Sequence, residues 1–200
     1  MANYIIAGLG NPGEEYVGTR HNVGRMVLDA FVKKNDWPDW EMNKKLNALV
    51  SEGKIKKNKV SLLKPETFMN KSGEAVKPLI KSKKAAETLV VIHDDLDLPL
   101  GKMKISFNKS SGGHKGVESV MRAIKTENFI RLRLGISGET ASGKIKKPQG
   151  EEKVIDTILS KFKESELKEF KKTTKRAVSA LELIIEHGWS KGASLLGTIK

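Results

Sequence analysis

The N-terminal stretch up to Gly24 constrains the fold more than any other part of the chain. A short apolar run, Ile5-Ile6-Ala7, enters a glycine-rich turn, Gly8-Leu9-Gly10-Asn11-Pro12-Gly13. Thr19-Arg20-His21-Asn22-Val23-Gly24 follows at the mouth of a helix. Strand, tight turn and helix in that order are the opening unit of an α/β sheet, and ligands of such sheets sit beyond the carboxyl ends of the strands. The layout presents an imidazole and an amide where a ligand can reach them. Histidine titrates at about pH 6.5, so His21 is a natural general base if a carboxylate orients it.

Further apolar runs rich in β-branched residues recur between helical patterns. They cover 4–9, 46–51, 60–64, 88–92 and 129–136, and they predict an α/β fold. Residues 102–107 alternate apolar and polar and read as a half-exposed strand, so a twisted mixed sheet flanked by helices is expected. Val23, Val27, Ala30 and Phe31 share one helical face, and Val117, Val120, Met121 and Ile124 share another. Leu167, Phe170, Thr174, Ala177, Val178, Leu181 and Ile184 mark an amphipathic helix, with Ser165 as the expected cap and Gly188 as the stop. Its other face carries Lys168, Lys171, Lys172, Lys175 and Arg176. No linker divides the chain, so one domain over 1–200 is expected, with a mobile loop at 138–150 and a C-terminal helical region at 164–200.

Charge and composition narrow the partners. Lys and Arg number 37 against 24 Asp and Glu, a net charge of +13 that suits a polyanion such as nucleic acid. A lysine-rich solubilising surface is the competing explanation. The chain has no cysteine, which removes disulfides, thiolate metal sites and a thiol nucleophile. No apolar stretch approaches the ~18 residues of a membrane span, and the chain reads as cytosolic or organellar, with the cytoplasm as the expected location. With no obvious extra apolar surface, a monomer is expected.

Three predicted strand exits carry reactive side chains. The first offers Asn11, Tyr16 and His21. The second is Lys64-Pro65-Glu66-Thr67-Phe68-Met69-Asn70, and the third is His93-Asp94-Asp95-Leu96-Asp97. A histidine, a carboxylate and two amides on one rim suit ester hydrolysis by activated water: a base, a group that orients it, and neutral donors for an oxyanion. Each piece also has a plain reading. The first glycine turn resembles a dinucleotide loop only loosely, because proline interrupts it and no ribose-binding acid follows. His93 reads as a packed strand-end residue, His187 as a helix C-terminal residue, and Asp95 and Asp97 as an acidic turn rather than a metal site. Gly112-Gly113-His114-Lys115-Gly116 at a helix start is read either as an anion cradle or as a tight turn.

The ordered combination is more specific than any part. Gly-Leu-Gly-Asn-Pro-Gly from Gly8, Thr-Arg-His-Asn from Thr19 and Lys-Pro-Glu-Thr-Phe-Met-Asn from Lys64 come first. His-Asp-Asp-Leu-Asp-Leu-Pro from His93 and Gly-Gly-His-Lys-Gly from Gly112 follow. The chain resembles bacterial-type peptidyl-tRNA hydrolase across essentially residues 3–190. The resemblance implies that His21 activates water against the ester joining a peptide to the terminal ribose of tRNA, with Asp94 as the supporting carboxylate. It implies that Asn11 senses the blocked amino group or peptide backbone, and that Asn70 binds substrate and orients water. Tyr16 and Phe68 match residues lining the site for the tRNA end, and His114, Lys115 and Arg133 fall at substrate- or tRNA-binding positions.

Two departures from the family pattern stand out. Lys115 replaces a common asparagine, exchanging an amide contact for a charge contact to phosphate. Ser106 stands where a second basic residue often joins Arg133 in clamping the tRNA 5′ phosphate, with Lys104 and Lys109 nearby. The reading is therefore a hydrolase acting on peptidyl-tRNA through its acceptor end and phosphates, without metal, cofactor or membrane. A noncatalytic RNA-binding protein on the same fold is the alternative, and a nucleotidase would need a metal cluster that the sequence does not offer.

Overall fold

A computed structural model describes residues 2–196; Met1 and residues 197–200, the last part of the region expected to be helical, lie outside the described residues. The strands are β1 (Asn3–Gly8), β2 (Glu41–Asn43), β3 (Ala48–Ile55), β4 (Asn58–Pro65), β5 (Leu89–Pro99), β6 (Met103–Phe107), β7 (Ile130–Glu139) and β8 (Ile145–Lys146). The helices are α1 (Val23–Asn35), α2 (Ser72–Val76), α3 (Lys115–Ile124), α4 (Glu151–Leu159), α5 (Glu164–His187) and α6 (Trp189–Leu196). The sheet runs β2-β3-β4-β1-β5-β7-β6, with β8 pairing on β7. β4, β1, β5 and β7 are parallel neighbours, and the remaining pairings are antiparallel, so the sheet is mixed as expected.

Both faces of the sheet are covered, which is why its central strands read as unbroken apolar runs. On one face Ile6, Ile92 and Leu132 pack with Val27 and Phe31 of α1 and with Phe170 and Leu181 of α5. On the other, Ala7, Leu63 and Val91 pack with Val76 of α2 and with Val117 and Val120 of α3. α1 starts hard against the sheet because residue 24 is glycine. A Cβ there would stand 2.4 Å from Ile92 O and 2.5 Å from Leu9 N. That contact brings His21, just ahead of α1, to the ends of β1 and β5.

Two expectations, the acidic turn and the cap at Ser165, are corrected. The acidic turn expected after Ile92 is instead strand. β5 stays paired with β7 through Asp95 opposite Gly135, shifts register, and pairs again at Pro99 opposite Ser137. The neighbouring strand continues to supply hydrogen-bond partners, so the chain has no reason to turn. Ser165 is not the cap of α5, because the helix starts one residue earlier. Lys163 is its N-cap, and the Lys163 amide donates to Glu166 Oε2 at 2.8 Å. Within 138–150, Gly138 and Glu139 pair with Lys146 and Ile145 to form a small hairpin. Lys147 beyond it reaches Asp97 Oδ1 at 2.5 Å. Lys168, Lys171, Lys172 and Lys175 of α5 are outside the core. No helix among the described residues is long and apolar enough to cross a membrane.

Candidate active site

His21 lies in the single 3₁₀ turn, Arg20–Asn22, that leads into α1, and Asp94 lies in β5 beside the start of that helix. Seventy-three residues apart in sequence, they meet with His21 Nδ1 2.8 Å from Asp94 Oδ1. A carboxylate accepts, so the proton sits on Nδ1 and leaves the Nε2 lone pair as the basic site. No hydrogen bond from His21 Nε2 is formed among the described residues, and the ring lines a cleft of about 880 Å³. A second cleft, of about 670 Å³, lies by Pro38, Lys44 and Glu52, without any of these groups.

Asp94 is buried and has a second partner: His114 Nε2 lies 2.9 Å from the same Oδ1. Burial alone would raise the pKa of this carboxyl, but its interactions with His21 and His114 hold it well below the usual carboxylate range. Burial likewise pushes the His21 imidazole down, and the charge and hydrogen bond of Asp94 outweigh it, leaving it above its ordinary value. His93 sits in β5 with its Nδ1 2.7 Å from Asp94 O, so that nitrogen donates to the carbonyl. Burial, then the neighbouring His114, drive its pKa well below the ordinary histidine value, and it stays neutral. His21, Asp94 and His114 have donor types that metals accept, with ligand atoms within 4.8 Å of one another. The donor chemistry fits protons better. His114 Nδ1 already accepts from the Gly116 and Val117 amides, so metal at Nε2 would require either losing that cap or forming an imidazolate.

Asn11 is positioned through its own backbone. Its amide donates to Asn22 Oδ1 and its carbonyl accepts from Asn22 Nδ2, both at 2.9 Å. The Asn11 side chain then accepts the Met69 amide on Oδ1 at 2.8 Å. An amide side chain carries both donors and an acceptor. In the fold Asn11 Oδ1 is already engaged, and Nδ2 is left as a donor. Asn22 is buried and serves as this clamp.

Met69 also brings Asn70 alongside, although Asn70 itself is exposed and Phe68 is 58% exposed. Arg25 ties this loop to α1 by donating to Pro65 O at 2.6 Å and to Glu66 Oε1. Glycine at 116 lets α3 sit close to this loop, since a Cβ there would lie 2.4 Å from Met69 Sδ and 2.9 Å from Leu9 Cδ1 and those side chains would have to shift. Tyr16 is half-buried and accepts at its carbonyl from Thr19 Oγ1 at 2.8 Å.

The basic groups are arranged differently from the simplest expectation. Arg133 lines the large cleft but is paired with Asp95 through Nε and Oδ2. Ser106 lies directly across from Arg131, while Lys104 lies across from Arg133. Lys104, Lys109 and Lys115 also line this cleft. Of the segment read either as an anion cradle or as a tight turn at Gly112–Gly116, the Gly116 amide is already engaged, bonding the His114 ring together with the amide of Val117.

Sequence reasoning missed Arg20. Its backbone amide donates to Ser160 O at 3.0 Å, Nε to Ser160 Oγ at 3.1 Å and Nη1 to Ile136 O at 3.1 Å. Nη2 donates to Glu166 Oε2 at 2.7 Å, and the guanidinium lies 4.7 Å over the Phe162 ring. Its place in Thr-Arg-His-Asn was the only local signal, since every partner lies more than a hundred residues away.

Comparison with known proteins agrees with this architecture. The family model described as peptidyl-tRNA hydrolase matches residues 5–198. A peptidyl-tRNA hydrolase of Thermoanaerobacter sp. (strain X514) is 45% identical over 186 residues, covering 92% of this chain and 94% of the relative. One from Thermodesulfovibrio yellowstonii is 38% identical over 194 residues, covering 96% and 97%. The crystal structure of peptidyl-tRNA hydrolase from Acinetobacter baumannii superposes with a TM-score of 0.85 at 29% identity, covering 98% of this chain and 95% of that one. A crystal structure of a peptidyl-tRNA hydrolase complex with N-propanol gives 0.86 at 30% identity over the same shares.

Proposed function

The chain belongs to the peptidyl-tRNA hydrolase family and hydrolyses peptidyl-tRNA, and we propose that His21 is the general base of that reaction, oriented by Asp94. The single observation that carries the assignment is the buried 2.8 Å pair between His21 Nδ1 and Asp94 Oδ1, which leaves Nε2 as the basic nitrogen.

In this reading Nε2 takes a proton from water as the water oxygen bonds to the ester carbonyl carbon. The resulting imidazolium is stabilised by the Asp94 charge, and the oxyanion by the donor left on Asn11 Nδ2. The tetrahedral centre then collapses. The bond from carbon to the ribose oxygen breaks, and the imidazolium proton goes to that oxygen, releasing peptide acid and tRNA. Water is the one co-reactant that these steps use. Donors on Asn11 and Asn70 would read the peptide backbone whatever its side chains, which suits a substrate class defined by a blocked amino group. Tyr16 and Phe68 flank the terminal nucleotide, while Lys104, Lys109, Lys115 and Arg133 face the phosphates. We place the activity in the cytoplasm, in keeping with the family's substrate, and in a monomer.

The test is release of the blocked amino acid from N-blocked aminoacyl-tRNA, with unblocked aminoacyl-tRNA as control. Wild type is expected to act on the blocked form. His21→Ala should lose about 10²- to 10⁴-fold in kcat while retaining tRNA in a filter-binding assay. An undiminished His21→Ala rate overturns the assignment, and retention without release by the wild type favours an RNA-binding role instead.

A further inference from the structure

His114 caps α3 with its ring, and the two ring nitrogens face different partners. Nδ1 accepts from the Gly116 amide at 3.2 Å and the Val117 amide at 3.3 Å. Nε2 lies 2.9 Å from Asp94 Oδ1. A nitrogen that accepts amide N–H groups cannot carry a proton of its own, so the proton of the neutral ring sits on Nε2. It is therefore donated to Asp94, and the helix start decides the tautomer.

We propose that His114 is a positioning residue, locked by the cap of α3 as a donor to Asp94 and holding that carboxylate against His21. The proposal rests on the reading of His21 as base and Asp94 as its support. It differs from the expectation that His114 contacts substrate. Its side chain is only 8% exposed, and both nitrogens are already engaged inside the protein. The ring also packs at 5.1 Å from the His21 ring and edge-on at 4.7 Å from His93. Contacts on three sides leave it one orientation.

The charged and titratable groups around Asp94 come from every neighbouring element: His21 before α1, His93 within β5, His114 at α3, and Arg131 of β7 acting on His93. His93 is neutral and donates only to the Asp94 carbonyl, leaving His21 and His114 as the donors on the carboxylate. Two donors on one oxygen divide its charge. His21 therefore feels less than the full pull of Asp94, and withdrawing the His114 donor should make His21 a stronger base in a looser orientation.

His114→Asn separates the two jobs of the ring. Asparagine is a good N-cap, so it keeps α3 capped, but its shorter side chain gives up the bond to Asp94. The acid limb of the kcat/KM profile on N-blocked aminoacyl-tRNA is expected to rise by about one pH unit. kcat should fall about tenfold or more, with KM within threefold of wild type, as for a bond that matters to orientation rather than binding. An unmoved limb with a raised KM would instead make His114 a substrate contact and overturn the proposal.

Long-range ¹H–¹⁵N spectra of the full wild-type chain provide a second readout that does not depend on the variant folding. They should show His114 protonated on Nε2 and bare on Nδ1, and the reverse tautomer overturns the proposal. The same spectra follow the His21 titration. If it fails to coincide with the wild-type rate limb, the base assignment fails, whereas a wrong His114 tautomer with coincident titration overturns only the positioning role.

Discussion

Asp94→Asn tests how the shared carboxylate oxygen works. Where an Asp-to-Asn exchange beside a catalytic histidine gives the imidazole the wrong tautomer, losses reach about 10⁴-fold. Here the structure argues for a smaller loss. Both His21 Nδ1 and His114 Nε2 address Oδ1, at 2.8 and 2.9 Å. A flipped amide would set its NH₂ against the Nε2–H that the α3 cap holds in place, so the variant should keep a carbonyl oxygen toward both rings. His21 then retains its tautomer and loses only the negative charge.

A hydrogen bond to a charged group is worth about 1.5–3 kcal/mol against about 0.5–1.5 for a neutral one. A difference of about 1–2 kcal/mol corresponds to roughly 5- to 30-fold, and we expect kcat/KM to fall by about that factor at the pH optimum. The acid limb should also move. In the wild type burial lowers the His21 pKa and Asp94 more than compensates; without the charge, burial prevails. The limb is therefore expected to drop from above about 6.5 to below it. The assay is the pH dependence of release from N-blocked aminoacyl-tRNA in both proteins. A loss near 10⁴-fold would show that the amide flips and refute the locked-donor argument. A limb that stays put would show that Asp94 does not set the basicity of His21.

Two further outcomes are expected. Arg20→Met should destabilise the chain by about 2–4 kcal/mol, because it removes the side-chain donor to Ile136 O and leaves Glu166 without its buried cation, whose side chain is 10% exposed. The check is a lower urea midpoint at unchanged slope, and an unshifted midpoint counts against the anchor. With a net charge of +13, tRNA affinity should fall linearly in a log–log plot against salt, at a slope of about −0.9 per phosphate neutralised, and a flat plot would reject phosphate contacts as the main source of affinity.

Much of this protein is written locally. Apolar β-branched runs, helical spacing and glycine turns depend on neighbours within a few residues, so the mixed α/β sheet and the faces of α1, α3 and α5 follow from sequence alone. The ordered motifs carry the family in the same way. The continuation of β5 past His93 was not legible, because His-Asp-Asp-Leu-Asp looks like a turn until β7 lies beside it and takes its hydrogen bonds. Asn11 shows the same limit. Its residue type announces two donors and an acceptor, and only the approach of Met69 engages that oxygen inside the protein.

The sequence thus determines which chemical groups are present, which elements carry them and which family they belong to. Tertiary structure alone decides the protons. That His21 bears its proton on Nδ1, that His114 bears its own on Nε2, and that Asp94 stays ionised between them all follow from contacts across α1, β5 and α3. Protonation is set by the field and hydrogen-bond partners within a few ångströms, and those neighbours exist only once the helix starts have closed on the ends of the sheet.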